Sequence, residues 1–407
     1  MMSRPRFSVV IPTRDRTHTL RHTLRTCLAQ AYDDVEFLVS DNGSTTNAQP
    51  LVEELADPRL RYVRTPRPLA MSESWEFAVS QAKGEFITVI GDDDGLLLHA
   101  LPEVDRLLRT LNAKVLRWES ACYYWPCLPA QPYAQANRLL IPLKQAESFY
   151  RIRRYDSSAR IAAVGRWELS YSELPMIYCS IVHRDLLEAL RTKMGRVFGA
   201  RCPDVYSAVA IAHTAGAYFS VDAPMGISGL SGTSNGVACH FLECKSKVAD
   251  DFARLNEQAS LRRDPRIPAL SAMSAYVADS YLQARVACAP HDRGELLDRR
   301  KMLAACVREL RIESDAQWQQ ALTVLRASAT DDAKLTRWFD TEFGRLPWTA
   351  VQKQQQQAQH IWRRYGGHYM FLDTARFGVT NIYDAAELCE NLLGNKADGS
   401  NCHLVAA

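Results

Sequence analysis

Three consecutive carboxylates, Asp92-Asp93-Asp94, follow the apolar run Phe86-Ile87-Thr88-Val89-Ile90. Burying adjacent like charges without partners is costly, and each raises its neighbour's proton affinity. A hard divalent cation removes that conflict, because Mg2+ or Mn2+ takes carboxylate oxygens together with the oxygens of substrate phosphates. An acidic triplet alone reads as readily as a solvated turn before a helix N-terminus. Its place beyond an apolar strand favours the cation. Two more polar groups stand after apolar runs: Pro12-Thr13-Arg14-Asp15 after Phe7–Ile11, and Asp41-Asn42-Gly43-Ser44 at the end of Val35–Ser40. Asp41 could accept hydrogen bonds from a base or ribose, or close an Asx turn. Arg14 could line a nucleotide crevice, or pair with Asp15 at the surface.

Strand and helix periods alternate through the first 120 residues. Phe7–Ile11, Val35–Ser40, Leu60–Val63, Phe86–Ile90 and Val115–Trp118 read as strands. Between them lie helical stretches at about 17–31, 51–55, 72–82 and 97–111, with Ser72 as an N-cap and Gly84 as a stop. This alternation predicts a parallel sheet covered on both faces, with ligands bound beyond the carboxyl ends of its strands. All three polar groups fall at those ends. Residues 121–240 are less regular: an aromatic stretch at 123–126, strand-like residues at 176–182, a helix near 205–214, and a loop of small residues at 226–236. Beyond about 240, helical periodicity dominates.

A chain of 407 residues with 47% hydrophobic and 23% charged residues is long enough for two or three domains and is not disordered in composition. A net charge of +3 gives no footprint for nucleic acid. Eleven scattered cysteines without CxxC spacing fit free thiols in a reducing, cytoplasmic setting. No GxGxxG follows the first strand, and GxxxxGK[ST], HExxH and GxSxG are absent, which disfavours dinucleotide, P-loop, zincin and hydrolase chemistry.

The runs Val9–Arg16, Val39–Ser44 and Ala82–Asp94, in this order and spacing, resemble the family 2 glycosyltransferases of the GT-A fold. The resemblance is good over residues 6–110 and looser to about 240. Asn42 stands where the family has a second acid, and Gly91 where it often has the first acid of its metal motif. The resemblance implies that Pro12, Thr13, Arg14, Asp15, Asp41, Asp92 and Asp93 surround a nucleotide-diphosphate sugar, a UDP-sugar foremost. It places Mn2+ or Mg2+ on Asp92 and Asp94, or on Asp93 if the register slips by one; His240, after the small-residue loop, could add a metal or diphosphate contact or be structural, as a lone histidine more often is. The catalytic base it implies is Asp204, opening a helix after Arg201-Cys202-Pro203; the plainer alternative is that Asp204 only caps that helix. Glu173 and Asp222 are weaker candidates, and His183 is a second histidine to weigh. The 226–236 loop could close over the donor. Tyr123, Tyr124, Trp125 and Trp167 could stack on an acceptor sugar or fill a core.

The expected fold is therefore α/β: a GT-A, Rossmann-like, mostly parallel sheet with flanking helices, plus a helical C-terminal domain. Residues 1–120 would hold the nucleotide sugar, 121–240 the acceptor and catalytic base, and 241–407 the helical domain. The expected activity is inverting, metal-dependent transfer of a sugar to a hydroxyl of a glycan or glycolipid, without nucleic acid. The C-terminal domain leaves room for peripheral contact with the inner face of a membrane or for a homo-oligomer. Two rivals remain: a sugar-phosphate nucleotidyltransferase, and a non-catalytic carbohydrate-binding or assembly subunit with the same fold.

Overall fold

The first two strands, β1 (Phe7–Thr13) and β2 (Val35–Asp41), are buried along almost their whole length. Such continuous burial belongs to central strands with helices on both faces. The computed structural model describes residues 4–128, 136–142, 150–234, 236, 247–292, 296–310, 312, 314–352, 369–393 and 402–405. β1 pairs in parallel with β2 on one side and with β4 (Phe86–Val89) on the other, and β2 pairs in parallel with β3 (Leu60–Arg64).

Alternation along β1 divides the core. Val9 and Ile11 face one cluster with Leu20, Leu24 and Cys27 of helix α1 (Thr17–Leu28), and with Val104 and Leu107 of α4 (Ala100–Leu111). Val10 faces the opposite cluster with Trp75, Ala78 and Val79 of α3 (Met71–Gln81). The period of two in the strand and of 3.6 in the helices places these side chains on common faces. α2 (Gln49–Leu55) lies between β2 and β3 in the chain.

Past β4 the sheet changes character. β9 (Ser180–His183) runs antiparallel to both β4 and β6 (Val115–Tyr124), and β6 pairs in parallel with the long β10 (Ala217–Leu230). The antiparallel additions are β5 (Gly95–Leu96) and β8 (Tyr150–Asp156) on β10, and β7 (Arg138–Pro142) on β6. α5 (Ser157–Gly165), α6 (Arg184–Met194) and α7 (Pro203–Ala215) cover one face. α7 is buried at almost every position, as a helix that is apolar all round must be.

Helices do follow residue 241: α8 (Lys247–Gln258), α9 (Met273–Cys288), α10 (Arg299–Glu309), α11 (Asp315–Ala327) and α12 (Ala333–Glu342). The last part of the chain then returns to the sheet. β11 (Tyr369–Asp373) pairs with β7, α13 (Ile382–Leu393) packs its Ile382, Ala385, Ala386 and Cys389 beneath Tyr123 and Trp125, and β12 (Cys402–Val405) pairs with β8. The helical expectation for this region misses those strands, because short runs carry no periodic signal without their distant partners.

Three local expectations need correction. Ser72 is not an N-cap: α3 starts one residue earlier, after Ala70, and no side chain caps it. Residues 226–230 are not a loop. They form the end of β10, in register with Ser120–Tyr124 of β6, and Gly226 and Gly229 mark close backbone approach there. Tyr123 and Trp125 are core residues, 0% and 5% exposed, and cannot stack on an outside sugar. The eight described cysteines are free thiols, and no helix among the described residues is long and apolar enough to cross a membrane.

Candidate active site

Parallel registry brings the three polar strand ends together. Thr13 stands opposite Asp41 in the β1–β2 ladder, and Ile90 donates its N–H to Val10 O at 3.0 Å, so the residues after β4 emerge beside those after β1. A cleft of about 700 Å3 opens there, lined among others by Pro12, Thr13, Arg14, Asp15, Asp92, Asp93, Asp94 and Asp204. Its outer wall is helical, from Lys247, Asp251 and Phe252 of α8 and from Met273 and Tyr276 of α9. Arg14 reaches across to α8 and binds Asp251 at 2.9 Å.

Each acid of the cluster has its own setting. Asp92 is tied within the protein: Thr13 Oγ1 donates to it at 2.7 Å and Arg16 Nη1 at 3.2 Å. Asp93 accepts from Ser231 Oγ at 2.6 Å, and its carbonyl takes the Trp125 indole N–H at 3.0 Å. Asp94 accepts the backbone N–H groups of Gly229 and Gly91, both at 2.7 Å. Burial first, and repulsion from Asp92 second, push the Asp93 carboxyl above the usual carboxylate range; burial and then Asp93 do the same to Asp94.

Among the described residues no three His, Cys, Asp or Glu side chains converge as a ready-made metal site. Two carboxylates do converge. A Cβ on Gly91 would lie 2.8 Å from Asp94 Oδ2 and 3.1 Å from Asp93 Oδ1, so the missing side chain leaves both oxygens facing one small space. Two hard oxygen donors with room for phosphate oxygens suit Mg2+ or Mn2+, which seldom fill their shell from protein alone. The donor set fits such a cation.

Gly229 is the tightest point of the site. A Cβ there would sit 1.8 Å from Asp93 O. Gly229→Ala must push β10 off the cluster, and we expect a stability loss of about 2 kcal/mol or more by denaturant titration, together with weaker Mn2+ binding by calorimetry.

The other sequence candidates separate by position. Asp15, in left-handed backbone at φ 54°, accepts the N–H groups of Thr45 and Thr46 at 2.7 and 3.1 Å and locks the first two loops together at the rim. Asp41 is fully buried and lies behind the cleft rather than on its lining. Its carboxylate takes the N–H groups of Ser44 and Ala48 and the Tyr62 hydroxyl, the Asx-turn alternative, while its neighbour Asn42 reaches the wall. Glu173 is paired with Arg160 and Asp222 with Arg153, and neither lines the cleft. His183 caps α6, accepting from Asp185 N. His240 lies outside the described residues.

Asp204 sits in the first turn of α7, where the N-cap Cys202 contributes no side-chain hydrogen bond. Burial pushes its carboxyl up to about 6, against the opposing pull of the backbone N–H groups of Val205 and of Asp204 itself. It lines the cleft, and among the described residues it has no ion-pair partner. Arg16, Tyr171, Tyr178, Gly229 and Ser231 also belong to the site. Sequence reasoning did not single them out, because their partners lie far along the chain: Arg16 is 76 residues from Asp92, and Ser231 is 138 from Asp93.

Residues 8–115 match the family described as Glycosyl transferase family 2. This stretch belongs to that family. The chain is 32% identical over 100 residues to the GalNAc(5)-diNAcBac-PP-undecaprenol beta-1,3-glucosyltransferase of Campylobacter jejuni, a match covering 24% of this chain and 32% of that one. It is 28% identical over 87 residues to the Escherichia coli UDP-Glc:alpha-D-GlcNAc-diphosphoundecaprenol beta-1,3-glucosyltransferase WfgD, covering 21% and 34%. Among solved structures it is similar to S. aureus TarS 1–349 in complex with UDP-GlcNAc, at 13% identity and a TM-score of 0.44, over 83% of this chain and 91% of that one. The chain spans only about a third of the length of these two curated relatives.

Proposed function

We propose that this family 2 chain is an inverting glycosyltransferase that moves a sugar from a nucleotide-diphosphate sugar, foremost a UDP-sugar, to a hydroxyl of a glycan or lipid-linked acceptor. One observation carries the reading: a single cleft holds the convergent carboxylates of Asp93 and Asp94 and, apart from them, the half-buried Asp204. Diphosphate departure and proton removal need separate groups on opposite sides of one sugar carbon, and the cleft offers both. Support for the acceptor class comes from the two relatives, each named for an undecaprenol-diphosphate-linked substrate.

In this mechanism the loops after β1 and β2 hold the nucleoside along Asp15 and Asn42, braced by Asp41 from behind. Asp94 and Asp93 would hold a divalent cation for the diphosphate, with Asp92 turned to Arg16 and Thr13. When bound, that cation neutralises charge on the departing diphosphate. Asp204 takes the proton of the acceptor hydroxyl as its oxygen bonds to the anomeric carbon and the carbon–phosphate-oxygen bond breaks; one displacement inverts the centre. A base poised near pH 6 is ionised at neutral pH yet basic enough to assist. The walls from α8 and α9 keep donor and acceptor together.

We retain the division into a nucleotide-sugar half over 1–120, an acceptor half over 121–240 and a helical remainder whose α8 and α9 complete the cleft, and we place the enzyme in the cytoplasm. Calorimetric titration of UDP, UDP-glucose and UDP-GlcNAc, with and without Mn2+, tests the reading. We expect Mn2+-dependent binding of at least one nucleotide sugar; heat from none of them would overturn it.

A further inference from the structure

Two tyrosines line the cleft. Tyr178 lies in the short 3-10 turn Ile177–Cys179 and Tyr171 in the turn Tyr171–Glu173; both line the cleft, and among the described residues neither hydroxyl has a hydrogen-bond partner. Their backbones are held firmly. Ile177 is buried in the core and its carbonyl accepts from Thr88 Oγ1 at 3.1 Å, while Glu173 O accepts from the Tyr218 hydroxyl at 2.6 Å. The Tyr178 ring stands edge-on to Trp75 with centroids 4.7 Å apart, so its direction is set by packing.

The two hydroxyls have different charged surroundings. Burial, then the negative charges of Asp94, Asp204, Asp93 and Asp92, push the Tyr178 hydroxyl well above its ordinary range. It lines the same cleft as the acidic cluster and Asp204. Tyr171, raised by burial first, feels Asp204 and none of the three clustered acids. If the diphosphate sits at Asp93 and Asp94 and the acceptor oxygen at Asp204, the transferred sugar must lie between them. Tyr178 is a neutral polar group on the wall of that cleft, its ring fixed against Trp75, and a neutral phenol both donates to and accepts from a sugar hydroxyl.

We infer that Tyr178 reads the transferred sugar, hydrogen-bonding one of its hydroxyls and so setting donor specificity. The inference rests on the glycosyltransferase reading above. A site built to bond a substrate hydroxyl discriminates strongly, because an analogue that lacks or misplaces the hydroxyl leaves the site's own polar group unpaired.

The test measures affinities of the full chain, with Mn2+, for UDP, UDP-glucose, UDP-galactose and UDP-xylose. The second sugar is the C4 epimer of the first, and the third lacks its hydroxymethyl group. Tyr178→Phe keeps the ring against Trp75, and its melting temperature checks that the fold survives. We expect Tyr178→Phe to lower the preference for UDP-glucose over UDP at least tenfold and to narrow the spread among the three sugars. Tyr171→Phe removes the same chemical group from the same cleft, and we expect it to change that preference by less than twofold. The inference is overturned if Tyr178→Phe keeps the wild-type preferences within twofold, or if Tyr171→Phe lowers them equally. A wild-type protein that binds UDP but gains nothing from the sugar also overturns it while leaving the nucleotide reading intact; one that binds none of the four removes both.

Discussion

Asp204→Asn lowers kcat by roughly 10^2 to 10^4-fold, the usual worth of a positioned general base, and leaves the Kd of the donor with Mn2+ near that of the wild type. The amide fills the same volume at the start of α7, so the loss belongs to the proton acceptor. The wild-type pH profile carries the same signature. With the Asp204 carboxyl pushed up to about 6, kcat/KM should fall tenfold per pH unit below that point. The stability change has the opposite sign from an ion-paired acid. A carboxyl whose folded pKa is raised binds its proton more tightly in the folded state, so its ionisation opposes folding. The cost is absent below the unfolded value near 4, grows as pH rises through 6, and is complete above it. Melting temperatures from pH 4 to 8 should show Asp204→Asn increasingly more stable than the wild type up to that plateau. A melting difference that does not change with pH, or transfer at the wild-type rate, removes Asp204 from the role.

Asp94→Asn has the second large effect. It keeps a side-chain oxygen for one of the Gly91 and Gly229 N–H bonds but removes the charge that faces Asp93 across the space above Gly91. Disturbing groups that merely support metal ligands costs 10–100-fold in metal affinity, so losing a ligand charge should cost roughly a hundredfold or more. We expect donor affinity to become the same with Mn2+ and with a chelator. Asp92→Asn is the informative contrast. Asp92 pairs with Arg16 and Thr13, so its amide should disturb α1 and the first loop more than Mn2+ binding. If Asp92→Asn abolishes the Mn2+ dependence and Asp94→Asn does not, the assignment within the cluster reverses.

The parallel half of the sheet is legible in the sequence because β1, β2 and β4 are largely apolar runs and α1 and α3 repeat an apolar stripe. The cluster at 92–94 is legible for the same reason: a strand end is visible before its neighbours are. Legibility fails where identity depends on a distant partner. Residues 226–230 look like a flexible loop because Gly226, Ser228 and Gly229 are small. Their smallness is the imprint of Asp93 and of β5 packed against them, which no local window contains. Asp41 looks like a ligand, but the Tyr62 hydroxyl that completes its coordination arrives from the next strand. Tyr178 carries no motif at all; only the fold puts it in one cleft with the cluster and Asp204.

The return of the chain's last segment has a consequence in time. Trp125, whose indole holds the Asp93 carbonyl, is covered by α13, and His99 meets Glu390 at 2.8 Å across 291 residues of sequence. Synthesis at about 5–20 residues per second places roughly 15–60 s between the two halves of that contact leaving the ribosome. Through that interval the nascent chain displays Tyr123 and Trp125 to solvent, with β7 lacking the strand that will pair with it. The long wait suits capture by chaperones, and it makes residues 1–240 a poor candidate for expression alone, since that excised part would keep this apolar surface open for good.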